Sequence, residues 1–431
     1  MHHIFWKTLT ALLLLCLLAQ HLGRQDWSLR SQKKRLATLQ RPISDFHPHN
    51  TSVALSVWNY DWQRDHDNHS LSDAQCDTAF PQLYEDIDRA VQHGQSRNIT
   101  THTIGLWNRN EGGVKILFRN QQLRIVETRG MYRNDFSERI LAVCHSLLRA
   151  TASAAVEDML IDDFEATIVV DDWPVLSQEQ DGKELALWSF ARDSSNRDHD
   201  RAWLIPDFNF WKTSGEDFTH MQAKARTYDS PIAEKEQKII WRGVDWTNPL
   251  VRGALVNVTR DRPWADVKTI DWNDHVDMLT PQEFCHYAYV VNTEGRSWSS
   301  RLTHLLNCDA VPISHELKWV AHYYHLLEPD VNFVSVDRDF SDLSEKMEFY
   351  LAHPSAAQDI ADKARVTFRE RYTTPAATTC YWRRLLRSWS SMTFKPEGIE
   401  AADRDQTQGE QRKRGIAIEE FLCVSQRKCC T

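Results

Sequence analysis

Two short stretches carry residues whose types and spacing suit chemistry. The first is Glu294-Gly295-Arg296-Ser297-Trp298-Ser299-Ser300-Arg301. It offers one glycine for a turn, three serine hydroxyls as short donors, and in Arg301 a planar fork that fits phosphate. It follows residues 287–291, an aromatic and β-branched run that reads as a strand. It leads into Leu302, Leu305 and Leu306 at helical spacing. A strand feeding a helix start presents unpaired amides and partial positive charge to an anion. Serines there also serve as plain caps, so both readings stay open at this point. The second stretch is Asp171-Asp172-Trp173-Pro174, which ends the β-branched run 166–170. Proline holds its neighbour extended, so a strand releases two carboxylates at its carboxyl end. In α/β sheets that edge binds ligands. An acid/base pair, a metal ligand and a solvated turn all fit the two carboxylates.

The surrounding pattern shows what must position them. Residues 24–75 are polar with few apolar runs and read as a stem or linker. From Cys76, residues Phe80, Leu83, Ile87 and Val91 have helical spacing. Residues 115–118 and 123–126 read as a hairpin about a turn at 120–122. A helical pattern over 136–160 places Ile140, Val143, Leu147 and Leu148 on one side, with Cys144 as a buried thiol. Residues 203–211 form an aromatic cluster that suits either a core or the wall of an acceptor cleft. A charged helical connector is expected over 224–238. A second α/β region opens at 238–243. Further strands are expected at 310–313 and 331–336, with helices after Ser341, over 355–371 and over 379–389. Strands alternating with helices imply βαβ units and parallel sheets. Beyond Ser391 the chain is charged and aperiodic, which reads as disorder.

A length of 431 residues suits about two or three domains. A net charge of -9 disfavours nucleic acid as a partner. Lys7 precedes an apolar run over 9–19 broken only by Thr10, short for a membrane span and suited to a signal segment. No clean small-x-small cleavage site follows, and Arg24, Arg30, Lys33, Lys34 and Arg35 do. An uncleaved signal anchor and a cleaved signal peptide both fit, and both place the body of the chain in a lumen or outside the cell. Sequons at Asn50, Asn68, Asn98 and Asn257 agree with that compartment, and its oxidising conditions would permit disulfides among the nine cysteines. Asp337-Arg338-Asp339 has a form that divalent metals favour, but its place between a strand and Ser341 explains it as a turn and cap. His322 and His325 have no nearby Cys/His set for zinc. The hydrolase elbow, P-loop and dinucleotide fingerprints are absent from the sequence.

In their order along the chain these pieces resemble glycosyltransferase family 90, the capsule-associated-protein family. That family includes animal protein O-glucosyltransferases and fungal xylosyltransferases. The likeness covers about residues 160–390. It is carried by Val170-Asp171-Asp172-Trp173-Pro174, by Trp241-Arg242-Gly243 and by Gly295 to Arg301 with Leu305. Asp339 to Leu343 with the helix to Phe368, and Thr379-Cys380-Tyr381-Trp382, complete it. The Ser-Trp-Ser-Ser-Arg form is closer to the fungal members. The resemblance implies a GT-B-like α/β fold, with two Rossmann-like domains facing a cleft. The chain would divide into a signal anchor or signal peptide (1–23), a stem (24–75), an acceptor-side domain (76–235), a nucleotide-sugar domain (236–375), a returning helix (376–392) and a disordered tail (393–431).

The resemblance also implies an inverting transfer of xylose or glucose from a UDP-sugar to a glycan or protein, with no obligatory metal or cofactor. Asp172 would be the general base. Arg296, Ser297, Trp298, Ser299, Ser300 and Arg301 would hold the donor diphosphate, helped by Arg242, Gly243 and Arg252. Val244 stands where the family often has serine. Cys285 would pair with Cys308, and Cys380 with Cys76. The setting would be the Golgi or endoplasmic reticulum, as a single-pass type II membrane protein, or secretion if the leader is cleaved. The other expectation is a non-catalytic luminal sugar-binding or interaction protein derived from such a transferase.

Overall fold

Two sheets form where the sequence alternates strand-like and helical patterns. The computed structural model describes residues 58–426 apart from 96–97, 107–111, 156–157, 159–160, 175–184, 214–215, 272, 274–275 and 397–413. The leader, the Asn50 sequon, Cys16, Cys429 and Cys430 lie outside these residues. Among the described residues no helix is long and apolar enough to cross a membrane.

The expected hairpin is β1 (Gly113–Arg119) and β2 (Gln122–Arg129). Asn120 and Gln121 join them with φ of 50° and 62°, the left-handed pair that a tight hairpin turn requires. Next come β3 (Phe164–Val169), β4 (Trp188–Ser189), β5 (Arg192–Asp193), β6 (Trp203–Leu204), β7 (Lys212–Thr213) and β8 (Glu216–Asp217). A second run contains β9 (Glu236–Gly243), β10 (Ala265–Thr269), β11 (Tyr287–Asn292), β12 (Val311–His315), β13 (Trp319–Val320) and β14 (Val334–Val336). The last strand is β15 (Ile416–Ala417).

The first sheet has the order β15-β2-β1-β3-β4-β6 and is mixed: β3, β4 and β6 run parallel, while β1 is antiparallel to β3. The second sheet, β10-β9-β11-β12-β14, is parallel throughout. Every residue of β3 and β12 is buried, including the polar Glu165 and Thr167 of β3 and Ser314 and His315 of β12. The sheets share packing: Trp188 of β4 and Trp203 of β6 belong to one buried cluster with Val290 of β11, and Phe190, Trp298 and Leu305 lie in the same cluster. A two-residue ribbon, β13 antiparallel to β5, adds a backbone link.

The helix Pro375–Met392 returns to the first sheet. Trp382 Nε1 donates to Ser146 Oγ at 2.8 Å on the helix Asn134–Ala152, and Trp389 Nε1 donates to the Glu165 carbonyl at 2.8 Å. Arg383 donates to the Leu71 carbonyl at 2.6 Å and the Ala150 carbonyl at 3.0 Å. The Cys76–Cys380 disulfide holds the same helix, and Cys285–Cys308 closes the residues flanking β11. Cys144 is a buried free thiol, and burial pushes it up to about 12.

Three expectations need correction. The packed chain starts by Trp58, not at Cys76: Tyr60 donates to the Glu370 carbonyl at 2.9 Å and Leu71 is buried. These are single anchors without a period, so they read as linker. Residues 224–238 are not a helix. The helix Phe218–Ala225 ends first, 3-10 turns follow around Pro231, and Lys235 is buried with Nζ donating to the Tyr228 and Cys285 carbonyls. The tail is ordered over residues 414–426. β15 pairs with β2, and the helix Ile418–Ser425 buries Ile418, Phe421 and Leu422. Gly415 has φ of 72°, and a Cβ there would lie 2.6 Å from the Ile125 carbonyl oxygen. Arg414 meets the buried Glu165 carboxylate, and Cys423 is disulfide-bonded.

Candidate active site

The turn after β11 is built around a buried carboxylate. Glu294 accepts from the Lys318 and Trp319 amides at 2.6 and 2.7 Å and from Arg338 Nη2 at 2.5 Å. Its own amide donates to His315 Nε2 at 3.2 Å. Arg338 is the middle of Asp337-Arg338-Asp339. The flanking aspartates accept from the Ser341 amide and hydroxyl, both at 3.1 Å, in the turn expected from the sequence. Gly295 follows, and its amide donates to the Ser297 carbonyl at 3.1 Å. A Cβ on Gly295 would sit 2.9 Å from Arg252 Nη2, so close approach of that guanidinium explains the glycine.

The helix after this turn is only Leu302–Leu305. Four residues sum few peptide dipoles, so the expected macrodipole contributes little and the side chains must do more. Ser297, Trp298 and Ser299 are buried, with Trp298 packed 5.7 Å from the Phe190 ring. Arg296 is exposed. Ser300, Arg301 and Arg242 line a cavity of about 370 Å³. Met278, Leu279, Pro281 and Phe284 form an apolar wall, and Asn209 and His304 join the polar one.

The expected donor residues divide here. Arg242 is fully engaged by the protein: Nε donates to the Asp277 carbonyl, Nη1 to the Asp266 and Trp241 carbonyls, and Nη2 to Asp266 Oδ1 at 2.8 Å. Gly243 lies at the end of β9, where its carbonyl accepts from the Ile270 amide at 3.0 Å. Arg252 donates to the Glu294 and Val244 carbonyls at 3.0 and 2.9 Å and to Thr247 Oγ1 at 2.7 Å, so it braces the turn. Arg301 differs. Its Nη1 is out of solvent without a hydrogen-bond partner. Burial, then the charge of Arg252, lowers it to about 10. Beside it, burial and the Arg301 charge lower His304 to about 3, so that ring is neutral at working pH.

Asp172 leaves the end of β3, where Val170 donates its amide to the Gly112 carbonyl at 3.0 Å. Arg139 Nη1, on the helix Asn134–Ala152, donates to Asp172 Oδ1 at 3.0 Å and to the Val170 carbonyl at 2.9 Å. The Asp172 amide donates to Asp171 Oδ1 at 2.6 Å. Trp173 Nε1 then donates to the Arg296 carbonyl at 3.0 Å. The two stretches singled out in the sequence therefore touch, 123 residues apart.

Sequence reasoning missed Asp207 and Asn209. They lie in the aromatic run 203–211, whose only available signal was one carboxylate among rings. Asp207 is buried and accepts from the Asn209 amide at 2.8 Å, and Asn209 Nδ2 donates to the Ser300 carbonyl at 3.2 Å. Phe208 packs 4.8 Å beneath the Arg139 guanidinium. This segment therefore touches both halves of the site. Burial pushes the Asp207 carboxyl up to about 7, against the opposing Asn209 amide. Arg139, Tyr323 and Tyr324 are the other ionisable groups acting on it. A folded-state pKa above the unfolded one gives stability that is full below about pH 4 and lost as pH rises through about 7. Relative to Asp207→Asn, the wild type should lose on the order of 4 kcal/mol over that window and nothing further above it. Urea unfolding of both proteins from pH 4 to 8 checks this, and parallel stability curves would refute it.

Asn68, Asn98 and Asn257 are exposed, as glycan acceptors must be. Residues 72–430 match the family model described as glycosyl transferase family 90. The chain belongs to that family. The match extends the likeness read from sequence in both directions and takes in the ordered tail. This family 90 chain is similar to the O-glucosyltransferase rumi homolog of Aedes aegypti, 25% identical over 257 residues, or 54% of this chain and 62% of that one. It is similar to protein O-glucosyltransferase 1 of Rattus norvegicus, 29% identical over 252 residues, or 53% of this chain and 63% of that one. The matched region is thus less than two thirds of either relative's length. A glycosyltransferase from Rickettsia africae ESF-5 superposes with a TM-score of 0.28 at 9% identity, over 48% of this chain and 63% of that one, too weakly to carry an argument.

Proposed function

We propose that this family 90 chain is an inverting glycosyltransferase that moves a sugar, xylose or glucose, from a UDP-sugar to a hydroxyl group in the lumen of the secretory pathway. The observation that carries the reading is the orphaned Arg301 Nη1 in a cavity whose turn is hydrogen-bonded to the Asp172 loop. A buried cation without a partner is costly and suits an anion that arrives with a substrate. The two sheets then act as the facing halves of a GT-B arrangement, donor on the second and acceptor on the first.

In the reaction the acceptor oxygen attacks the anomeric carbon while Asp172 takes its proton. The bond from that carbon to the diphosphate oxygen breaks, and its electron pair leaves with UDP. Arg301 stabilises the charge that develops there, with Arg252 holding the turn in place. Fixed cations can serve the role of a divalent metal, so no obligatory metal is expected. Asp207 and Asn209 keep the base loop and the donor turn in register.

A panel of UDP-sugars offered to the purified full-length protein tests this, read as hydrolysis and as thermal protection. One donor should be turned over, and UDP should raise Tm. Sugar binding without turnover of any donor would instead favour the non-catalytic luminal module, and lack of protection by UDP would sink the donor assignment.

A further inference from the structure

We infer that Arg139 is the positioning residue for the transfer step: it fixes the Asp172 carboxylate so that Oδ2 takes the incoming proton, and it ties that carboxylate to the donor turn through Phe208. This rests on the transferase reading and adds to it a residue outside every motif read from the sequence. Asp172 lies just past the end of β3, in a bend outside strand and helix, and its side chain is 46% exposed. Left alone, its two rotatable bonds would let the carboxyl group swing. A general base works only when held near the proton that it takes, so a second group must orient it.

Arg139 does this from a rigid element. Its helix, Asn134–Ala152, buries Phe136, Ile140, Val143 and Leu147, and the returning helix is hydrogen-bonded to it at Ser146 and Ala150. Arg139 Nη1 carries two hydrogens. One goes to Asp172 Oδ1 at 3.0 Å and the other to the Val170 carbonyl at 2.9 Å. A single nitrogen thus ties the carboxylate to the backbone of its own loop, which restricts the side-chain torsions. Among the described residues no other cation pairs with Asp172, and its Oδ2 has no hydrogen-bond partner. The nearby Arg133 is taken by Asp135 at 2.7 Å. Oδ1 is therefore the anchored oxygen and Oδ2 the one left to accept a proton.

The same guanidinium reaches toward the donor side. Its central carbon lies 4.8 Å from the centroid of the Phe208 ring. Phe208 and Asn209 line the cavity, and Asn209 Nδ2 donates to the Ser300 carbonyl at 3.2 Å, next to Arg301. One side chain therefore bears on both ends of the reaction. Its hydrogen bonds hold the base, and its ring contact meets the segment that holds the donor turn. A plain stabilising ion pair explains less. A pair half exposed at one partner contributes little to stability. Such a pair also needs neither the second bond to the Val170 carbonyl nor a ring beneath the guanidinium.

The test follows hydrolysis of UDP-xylose and UDP-glucose by the full-length protein, with water standing in for the acceptor. The water oxygen bonds to the anomeric carbon, Asp172 Oδ2 takes a water proton, and the bond to the diphosphate oxygen breaks to release UDP. Arg139→Met keeps the length and the ring contact but donates nothing. Its kcat should fall roughly tenfold to a hundredfold, with KM for the donor within about twofold and Tm within about 3 °C. Arg139→Lys, which can reach one of the two oxygens without the planar fork, should recover part of the loss. Arg139→Met combined with Asp172→Asn should be no slower than Asp172→Asn alone, because the orienting group then has no base to orient. An unchanged kcat in Arg139→Met, or losses that multiply in the double variant, would overturn the inference. Thermal protection by UDP reports that each variant is folded. If Arg139→Met is not, Arg139→Lys carries the same cycle, and its loss must likewise vanish beside Asp172→Asn. No turnover of either donor by the wild type would remove the transferase reading and this role together, whereas turnover by the wild type with either contrary result removes the role alone.

Discussion

Asp172→Asn should lower the rate of sugar transfer by roughly 10²–10⁴-fold and leave UDP affinity within about twofold. Asparagine has the size of aspartate and can still accept from Arg139, but it cannot take a proton. The loop should keep its shape, because Arg139 is also held by the Val170 carbonyl and Trp173 by the Arg296 carbonyl. The ion pair itself is half exposed at Asp172, so its loss should cost no more than about 1 kcal/mol of stability. A single-turnover assay with saturating donor separates chemistry from binding. Full activity in Asp172→Asn would reject the base, and loss of activity only in Asp171→Asn would move the role to its neighbour, whose Oδ1 already accepts the Asp172 amide.

Arg301→Met should produce the second large effect, with opposite signs in two measurements. UDP affinity should fall on the order of tenfold to a hundredfold, the loss of a charge-assisted hydrogen bond to phosphate. Stability of the protein without UDP should hold or rise by a few degrees in Tm. The arginine is a cation out of solvent, near a second cation in Arg252, with Nη1 unpartnered, and burial lowers it to about 10. Methionine fills similar space with no charge to desolvate. A residue retained for packing alone would behave differently: its replacement would lower Tm and leave UDP affinity intact, and that result would reject the phosphate role. Arg242→Met is the contrasting case. All three guanidinium nitrogens of Arg242 are bonded within the protein, so its loss should destabilise the fold.

These contrasts show where sequence reasoning stops. β11 and the β-branched end of β3 were legible because buried strands favour aromatic and β-branched residues, which a local window reveals. Asp172 and the turn from Gly295 to Arg301 were legible because each motif is contiguous. The resemblance placed Arg301 on the donor diphosphate with Arg242 and Arg252 helping it. Only packing separated them, since Asp266 lies 24 residues from Arg242 and the Glu294 carbonyl 42 from Arg252. Asp207 was hidden because its shift comes from burial, which no spacing reports. β15 was missed because two residues added to a sheet edge have no period.

By itself, then, the sequence determined the family resemblance, the strand runs and the two stretches proposed to carry the chemistry. Those depend on local order along the chain. The tertiary structure decided which guanidinium nitrogen is left without a partner, that Trp173 joins the Asp172 loop to the turn after β11, and which rings stay in water. Those depend on desolvation and on the satisfaction of polar groups, which follow from what packs against a residue rather than from what precedes it.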